Sequence, residues 1–361
     1  MNDVTVIEDT HRFPCNTCGS DLRYAPGTGR LHCDHCGNEE EIADVGPWVG
    51  AIAELDFREA INNQLPQAEI EETRVLNCTN CGAQVEYRES IHSKECPFCA
   101  TPVVTDTGTH RHIKPKGVLP FALNEGEARH AMMEWLGSLW FAPNGLTQYA
   151  RKGRRLQGIY VPYWTFDAQT QTRYSGARGT VHRTGSGKNR KTTVRWRNVS
   201  GRVSRFFDDV LILASASLPR RFTDALEPWD LSALEPYQPA YLAGFRAEGY
   251  QIELGDAFDI ARTRMDAVIR RDIKFDIGGD RQRIHQVQTS VSDVTFKHVL
   301  LPVWMAAYRY RGQSYRFVVN ARTGRVRGER PWSAWKIAIA ILVVAILAAT
   351  AGYLAALAEQ G

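Results

Sequence analysis

Apolar and polar residues are segregated most sharply at the C-terminal end of the chain. Residues 337–358 form a run of twenty-two residues without a charge, rich in Ile, Leu, Val and Ala. As a helix rising about 1.5 Å per residue, this run would reach roughly 33 Å, close to the thickness of the hydrocarbon core of a bilayer. A buried core helix normally carries a polar stripe, and this run has none. The pattern predicts one transmembrane helix, residues 337–358, within an anchor segment, residues 332–361.

The residues beside the apolar run predict its orientation. Trp332 and Trp335 stand at its entrance, where amphipathic rings favour the headgroup layer. Several basic residues lie just upstream, namely Arg322, Arg325, Arg327, Arg330 and Lys336. Because basic residues accumulate on the cytoplasmic side, the part of the chain before the helix is expected in the cytoplasm. The N-terminus shows no secretion signal, since charged residues interrupt any apolar run there. A tail-anchored protein is therefore predicted.

Upstream of the anchor, residues 107–331 have the periodicity of an α+β body. Asn124 and Glu127 have the spacing of a capping box, and apolar residues follow on one helical stripe, which predicts a helix to about Trp140. A second helix is expected to begin near Asp256 and to end before Asp272.

Alternating polar and apolar residues predict strands in the same body. Residues 173–210 favour antiparallel hairpins, and residues 315–326 favour another hairpin with its turn at 320–324. An apolar-Pro-x-Trp motif occurs at residues 161–164 and again at 301–304. Two related halves are one interpretation. The alternative is that both motifs are buried strand starts, where proline is tolerated and tryptophan fills the core.

The eight cysteines fall into four Cys-x-x-Cys pairs, with fourteen residues between the pairs of each set. This spacing predicts two closed Cys₄ zinc ribbons, at residues 1–44 and 75–106, separated by an acidic and partly helical linker at 45–74. Disulfides, an iron cluster and redox-active pairs are the alternatives, and disulfides require an oxidising compartment. Two Zn²⁺ ions are expected, held by Cys15, Cys18, Cys33 and Cys36 and by Cys78, Cys81, Cys96 and Cys99.

The turns and histidines near these cysteines refine the prediction. Gly19, Gly37 and Gly82 follow a pair directly, as expected where the chain adopts positive φ, whereas Ala100 takes that place in the fourth pair. Nearby histidines are expected to be bystanders, because four sulfurs complete each site: His32, His35 and His92. A closed site leaves no position for a substrate, so the metal is predicted to stabilise the fold.

Charge is distributed unevenly along the chain, although the net formal charge is only +4. Residues 145–221 carry sixteen Lys or Arg against three Asp, a net of +13, whereas residues 38–89 carry twelve acids against three bases, a net of −9. The basic segment, taken as residues 151–221, is a candidate for binding nucleic-acid phosphates, with Tyr174 and Trp196 available for stacking. It could equally meet anionic lipid headgroups or the acidic stretch of the same chain.

No motif of an enzyme is complete in this sequence. Residues 184–188, Thr-Gly-Ser-Gly-Lys, resemble a phosphate-binding loop, but Asn189 follows the lysine and the first glycine of the motif is missing. Polar candidates in the body form no recognised constellation: Asp167, Asp208, Asp209, Asp280, His285 and His298. Adjacent acids on a strand point to opposite faces unless a bulge intervenes. The protein is predicted to have no helicase, ATPase or other enzymatic activity.

Several segments together resemble an uncharacterised family of bacterial tail-anchored double zinc-ribbon proteins, whose members are often labelled primosomal replication-restart helicases or transcription-factor-type zinc fingers. The segments are the paired ribbons, residues 113–115, 119–121, 162–167, 207–209, 241–245, 276–280, 295–298, 319–320 and 323–324, and the C-terminal apolar run. The resemblance implies a location at the bacterial inner membrane. The helicase label does not carry an activity here, because the motor motifs are missing.

Two functions are compatible with these features. The first is a non-enzymatic protein-binding adaptor or scaffold, in which ribbons and body present surfaces to a partner while the anchor holds them at the cytoplasmic face of the membrane. The second is a nucleic-acid-binding zinc-ribbon protein related to replication or transcription. The acidic residues around the ribbons argue against DNA contact there, so the adaptor is the favoured hypothesis.

Overall fold

The fold is that of a computed structural model, which describes residues 13–42, 52–78, 83–86, 94–95, 102–103, 107–143, 156–185, 191–310 and 313–360. It is a mixed α+β structure with antiparallel sheets and few helices. The α-helices are α1 Phe57–Ile61, α2 Glu125–Ser138, α3 Arg220–Thr223, α4 Leu254–Ile277 and α5 Ala334–Gln360. Short 3₁₀ helices cover Gln67–Glu69, Asp224–Leu226, Leu231–Ala233 and Pro239–Leu242.

The strands differ greatly in length. They are β1 Arg23–Ala25, β2 Arg30–His32, β3 Glu39–Glu41, β4 Leu55–Asp56, β5 Ile70–Asn77, β6 Gln84–Glu86, β7 Lys94–Glu95, β8 Pro102–Val103, β9 Thr107–Ile113, β10 Gly117–Val118, β11 Gln157–Thr184, β12 Lys191–Leu213, β13 Glu235–Pro236, β14 Arg246–Ala247, β15 Arg281–Tyr310, β16 Gln313–Asn320 and β17 Val326–Gly328. β1–β3 form one small sheet and β6-β5-β9 another, while β11, β12 and β15 dominate the central sheet.

The three long strands are antiparallel in the order β12-β11-β15 and run beyond the body as a narrow sheet. We call this extension the ribbon, and from here on the word alone means these three strands and not the predicted zinc ribbons. It consists of residues 169–184 of β11, 191–206 of β12 and 281–292 of β15. At about 3.3 Å per residue, the β11 part is roughly 50 Å long. The hairpins predicted for residues 173–210 are confirmed, and the ribbon is their extension with a third strand added.

Helix α4 covers one face of the ribbon. After Leu254 at its start, its buried residues recur every four positions along the helix, and they are Ala257, Ala261, Met265, Ile269, Ile273 and Ile277. They pack against buried residues of the strands, including Tyr174. The prediction that this helix ends before Asp272 is wrong, because the apolar stripe continues for another turn and Gly278, with φ of 65°, ends the helix.

The other local predictions in the body are confirmed. Asn124 and Glu127 form the predicted capping box, and α2 ends at Ser138, close to the predicted end. β16 and β17 form the predicted hairpin. Its turn is closed by the Asn320 side chain, whose oxygen accepts from the amides of Arg322 and Thr323 at 2.8 and 3.1 Å.

The two apolar-Pro-x-Trp motifs occupy equivalent positions in the sheet. The indole of Trp164 donates to the carbonyl of Ile252 at 2.9 Å, and that of Trp304 donates to Leu123 at 2.8 Å. Each carbonyl belongs to the residue just before the N-cap of a helix, α4 in one case and α2 in the other. Both tryptophans are buried, as the alternative interpretation expects, but its placement of the motifs at strand starts is wrong, since both prolines lie inside β11 and β15.

Two short strands show the same correspondence. β10 pairs in parallel with β15, where Val118 faces Leu300, and β14 pairs in parallel with β11, where Ala247 faces Tyr160. The chain therefore contains two β-α-β-β stretches, β10-α2-β11-β12 and β14-α4-β15-β16. The first strand of each stretch pairs with the long strand of the other, so the two are interlocked through the centre of the sheet.

The C-terminal helix α5 lies outside the core. Its side chains are exposed along residues 337–352 except where partly covered at its start, and by length and composition Ala334–Gly352 can cross a membrane. Lys336 at its beginning donates to the carbonyls of Trp140 and Ala142 at 3.0 and 2.9 Å, which ties the base of α5 to the end of α2.

Candidate metal centre and polar sites

Four cysteines near the N-terminus come together as predicted. One sulfur from each of Cys15, Cys18, Cys33 and Cys36 lies within 4.8 Å of the others. The Cys15 and Cys36 sulfurs are 3.6 Å apart, and those of Cys18 and Cys33 are 3.5 Å apart. In a tetrahedral Cys₄ site with metal-sulfur bonds of about 2.3 Å, sulfurs are separated by roughly 3.8 Å. The spacing fits one tetrahedral metal site.

Two equivalent turns aim these sulfurs inward. The amide of Gly19 donates to the carbonyl of Cys15 at 2.8 Å, and the amide of Gly37 donates to that of Cys33 at 2.9 Å. Both glycines have φ of 75°, in the left-handed region that residues with a Cβ avoid. The expectation of positive φ at these two positions is confirmed.

The pKa values of the cysteine thiols are shifted in different directions. Burial opposes ionisation of Cys15, but the amides of Thr17 and Cys18 and the side chains of Cys36 and Asn38 donate to its sulfur, and its pKa is lowered to about 6. Asn38 Nδ2 is 3.6 Å from that sulfur. The bond from the Asn38 amide lowers the pKa of Cys36, but burial and the hydrogen bonds with Cys18, Cys33 and Cys15 outweigh it and raise that pKa to about 12. Because thiolates are the metal-binding form, a metal would have to displace protons from part of the set.

The cysteine module packs on the body through aromatic residues. The Tyr24 ring lies 5.5 Å from that of Tyr241, measured between centroids, and the Tyr24 amide donates to the Ala243 carbonyl at 2.9 Å. The amide of Gly27 donates to Phe121 at 3.0 Å. A metal at the four sulfurs would therefore fix a surface of the body as well as its own small sheet.

The second cysteine set is only partly within the described residues. Cys78 is buried and follows β5, and its amide donates to the Ala83 carbonyl at 2.8 Å. Cys15 and Cys33 make the same bond with the residue five positions ahead, Ser20 and Asn38. Cys81, Cys96 and Cys99 lie outside the described residues, as do Gly82, Ala100 and His92, so the second zinc site stays a prediction.

A second cluster lies at the base of the ribbon. One oxygen from each of Asp167, Asp208 and Asp209 lies within 4.8 Å of the others. The prediction that adjacent acids diverge does not hold here, because β12 bulges and Asp209 adopts a φ of 49°. The Asp209 amide donates to Asp167 Oδ1 at 2.6 Å.

Lys297 supplies a cation to this carboxylate cluster. Its Nζ lies 2.8 Å from Asp209 Oδ1, 3.0 Å from Glu54 Oε1 and 4.0 Å from Asp167 Oδ2. Glu54 also accepts from Thr295 Oγ1 at 2.5 Å. Lys297 is 8% exposed and Asp167 is 4% exposed, so both charges are largely removed from water. Sequence reasoning missed Glu54 and Lys297, which are 243 positions apart.

The protons in the cluster are shared unevenly. Burial raises the pKa of Asp167 to about 7, the hydrogen bond with Glu54 adds to this effect, and Lys297 opposes it. The pKa of Glu54 is lowered: burial opposes that shift, but bonds from Thr295, Asp167 and Lys297 outweigh it. Asp167 therefore keeps its proton to a higher pH than an ordinary aspartate, and Glu54 loses its proton at a lower pH than an ordinary glutamate.

The remaining candidates of the sequence are separated from this cluster and serve the fold. Asp280 accepts from the amide of Val181 at 2.7 Å, and His285 is exposed on β15. His298 is buried and its Nδ1 lies 2.7 Å from the carbonyl of Ile113. Burial lowers the pKa of His298 to about 4, so its ring is neutral at physiological pH.

The basic segment is divided between the two faces of the ribbon. On the face covered by α4, Arg205 forms a bidentate pair with Asp272 at 2.6 and 2.8 Å, and Arg178 donates to the carbonyl of Ile277. Arg195 and Arg197 lie on this side too, opposite Thr180 and Arg178. The other face, which we call the open face, carries Arg173, Arg202, Arg281 and Arg283 among serines and glutamines.

Comparison with known proteins adds one relative without an assigned activity. An uncharacterized protein of Bacillus subtilis (strain 168), YdjG, is 26% identical over 327 residues, which is 90% of this chain and 92% of that protein. No family model matches the chain. No solved structure matches it. Because the similarity extends over nine-tenths of both chains, it is not confined to the cysteine-rich part.

Proposed function

We propose that the protein is a non-enzymatic, tail-anchored adaptor or scaffold that presents the ribbon to a protein partner at the cytoplasmic face of a bacterial inner membrane. The observation that carries this proposal is the long ribbon with one face covered by α4 and one face open. A sheet face that stays uncovered over many residues of strand offers a binding surface on a rigid support.

Zinc at the cysteine sites would have a structural role. The first set offers four converging sulfurs, and four protein ligands complete a tetrahedral ion without leaving a position for substrate. By the spacing of the second set, the chain would hold two ions. Cys15 and Cys33 are buried in one cluster with Tyr24 and Tyr241, so the metal would stabilise the surface that meets the body.

The apolar helix α5 supports membrane anchoring. Its exposed surface along residues 337–352 is uncharged and has no polar stripe that would suit water, and Trp332 and Trp335 at its start are 59% and 75% exposed. The basic residues before it favour a cytoplasmic body. Carbonate extraction should leave the full chain in the membrane pellet, and protease added to intact spheroplasts should spare the body. Release by carbonate or digestion from outside would contradict the anchor or its orientation.

The carboxylate cluster does not suggest catalysis. Lys297 neutralises carboxylates by direct contact, and the buried members hydrogen-bond one another, so their charge is used within the fold. A general acid or base must reach a substrate, whereas Asp167 and Lys297 are nearly excluded from the surface. We therefore propose that the function is binding, without helicase or ATPase activity.

Site-specific photocrosslinking in living cells tests the adaptor directly. A photoreactive residue replaces Ser290, which is exposed on the open face, and a matched control replaces Asp266, which is exposed on α4. Discrete protein adducts are expected from position 290 and not from position 266. Equal adducts from both positions, or none from position 290, would contradict an adaptor that works through the open face.

Nucleic-acid binding is the second candidate, and one observation favours it. The Arg283 guanidinium lies 4.1 Å from the centroid of the Trp196 ring, which forms a cation-aromatic pair of a kind that also stacks on bases. Against it, Arg195 and Arg197 lie on the other face from Arg173 and Arg202. One strand of nucleic acid would not contact both sets at once, so the adaptor is preferred.

A further inference from the structure

Two arginines on the open face stand directly opposite each other. Arg173 of β11 pairs with Arg202 of β12, so both side chains project from the same face. Both are exposed, and neither has a hydrogen-bond or ion-pair partner among the described residues. Like charges in directly opposed positions repel each other. This pair is unfavourable in the isolated chain and becomes favourable when an anion lies between the guanidinium groups.

Some arginines elsewhere in the described body are paired with acids. Arg205 contacts Asp272, and Arg264 contacts Asp224 and Glu227 at 2.7 and 3.2 Å. The residues that line the space around Arg173 and Arg202 include no carboxylate that could form such a pair. The difference points to a charge partner that another molecule supplies.

The surroundings of the pair form a polar groove. Its volume is about 800 Å³, and it is lined by the two arginines together with Gln169, Gln171, Ser204, Gln288 and Ser290. None of the residues that line this groove is a carboxylate. The glutamines and serines offer both donors and acceptors, at the two-residue period of strands. Three strands about 4.8 Å apart give a width of roughly 10 Å, which accommodates one polypeptide segment.

Other occupants fit the groove less well. A second copy placed face to face would bring four guanidinium groups together. Single-stranded nucleic acid is held by aromatic side chains, whereas Phe206 and Trp196, the aromatic residues at neighbouring positions of the open face, are not among the residues that line this groove. A planar bilayer surface would contact the edges of the groove and would not reach the residues at its bottom. Carboxylates on a peptide can form forked bonds with arginine while its amides contact glutamine and serine.

We infer that this groove binds an acidic segment of a partner protein, with carboxylates bridging Arg173 and Arg202. The inference rests on the proposed adaptor function and states the chemistry of the partner. Carboxylate side chains are held by the arginine pair, and the polar groups of the partner backbone are held by the side chains of the flanking glutamines and serines.

Fluorescence anisotropy with a defined peptide tests this inference. The full chain is placed in nanodiscs of phosphatidylcholine, and the probe is a labelled peptide of about sixteen residues with alternating glutamate and alanine. A peptide with glutamine in place of glutamate controls for charge. Arg173→Gln with Arg202→Gln should weaken binding of the acidic peptide about tenfold, the loss expected for two exposed forked contacts.

A matched variant separates the groove from general attraction. Arg195→Gln with Arg197→Gln removes the same charge from the covered side of the same ribbon and should change the affinity less than about twofold. Melting temperatures and circular dichroism confirm that both variants are folded. An equal loss in both variants, or no binding of the acidic peptide to the unaltered chain, would overturn the inference.

Two further probes identify a different occupant. Oligothymidylate or phosphatidylglycerol vesicles that bind through Arg173 and Arg202 more tightly than the acidic peptide would also overturn it. Photocrosslinking at position 290 separates the proposed adaptor function from the proposed acidic character of the partner. Protein adducts there without affinity for the acidic peptide would reject the acidic partner and retain the adaptor, whereas failure of both would reject both.

Discussion

The four cysteines near the N-terminus and the three aspartates at the base of the ribbon both bring their ligand atoms within 4.8 Å of one another, yet they differ in chemistry. The sulfurs have no basic side chain among their described contacts, whereas Lys297 contacts Asp209 and Glu54 and lies near Asp167. The absence of a cation among the described contacts of the first cluster is consistent with a metal site. In the second cluster, one ammonium group offsets part of the carboxylate charge. Convergence of ligand atoms alone therefore does not define a metal site.

Removal of metal should have the largest effect, because it acts only on the first cluster. Purified full-length chain should contain two zinc ions, measured by plasma mass spectrometry, and Cys18→Ser should lower the content by one. Structural zinc contributes about 10 kcal/mol or more to folding of small modules, so the module of residues 13–42 should lose its structure. His35→Ala is the control and should leave the zinc content unchanged. Full zinc content in the Cys18 variant would contradict the assignment.

Loss of the internal cation should have the next largest effect. Lys297→Met leaves buried carboxylates without their counter-charge and should lower the free energy of unfolding by on the order of 3 kcal/mol. Urea denaturation monitors the change, with Lys274→Met as an exposed control on α4. A loss below about 0.5 kcal/mol, as is usual for surface positions, would show that Lys297 does not balance the cluster.

The proton on Asp167 should give the base of the ribbon a pH dependence. Its pKa is about 7 in the folded chain, against the ordinary 3.8, so the folded state binds the extra proton between these values. Stability from this group is complete below about pH 4 and declines as pH rises toward 7, at no more than about 1.4 kcal/mol per pH unit. Asp167→Asn should flatten that decline. An unchanged profile of unfolding free energy against pH in this variant would refute the shared proton.

Added divalent cations should have the smallest effect on the unaltered chain. Millimolar Mg²⁺ or Ca²⁺ should shift its melting temperature by less than about 1 °C, because Lys297 occupies the position of a cation. The same cations should stabilise Lys297→Met measurably. A large shift in the unaltered chain, lost in Asp208→Asn, would instead show that the aspartates bind metal without removal of the lysine.

Local patterns in the sequence predict local structure well in this protein. The turns at Gly19 and Gly37 and the capping box at Asn124 depend on residues a few positions apart, and all three form as expected. The apolar run at the C-terminus is equally local. Here the chemistry of a short segment determines its conformation without help from distant parts of the chain.

Sites assembled across the sheet could not be predicted in the same way. Lys297 meets Glu54 only because of the register between β15 and β4, and Asp209 turns toward Asp167 only because β12 bulges. The opposition of Arg173 and Arg202 likewise depends on the register of a hairpin. The helix end at Ile277 was underestimated because charged residues at 270–272 hide an apolar stripe that continues beyond them. For the three contacts across the sheet, long-range register decides what the local pattern leaves open.

The exchange of short strands between β11 and β15 limits how the chain can be divided. A fragment that ends after β12 contains β10 but lacks β15, the long strand with which β10 pairs. A fragment that begins at β14 contains β14 but lacks its partner β11. Neither piece could complete its own hydrophobic interior. Two such pieces made together would have to intertwine, as subunits of a dimer do, and the single polypeptide keeps them at a fixed one-to-one ratio.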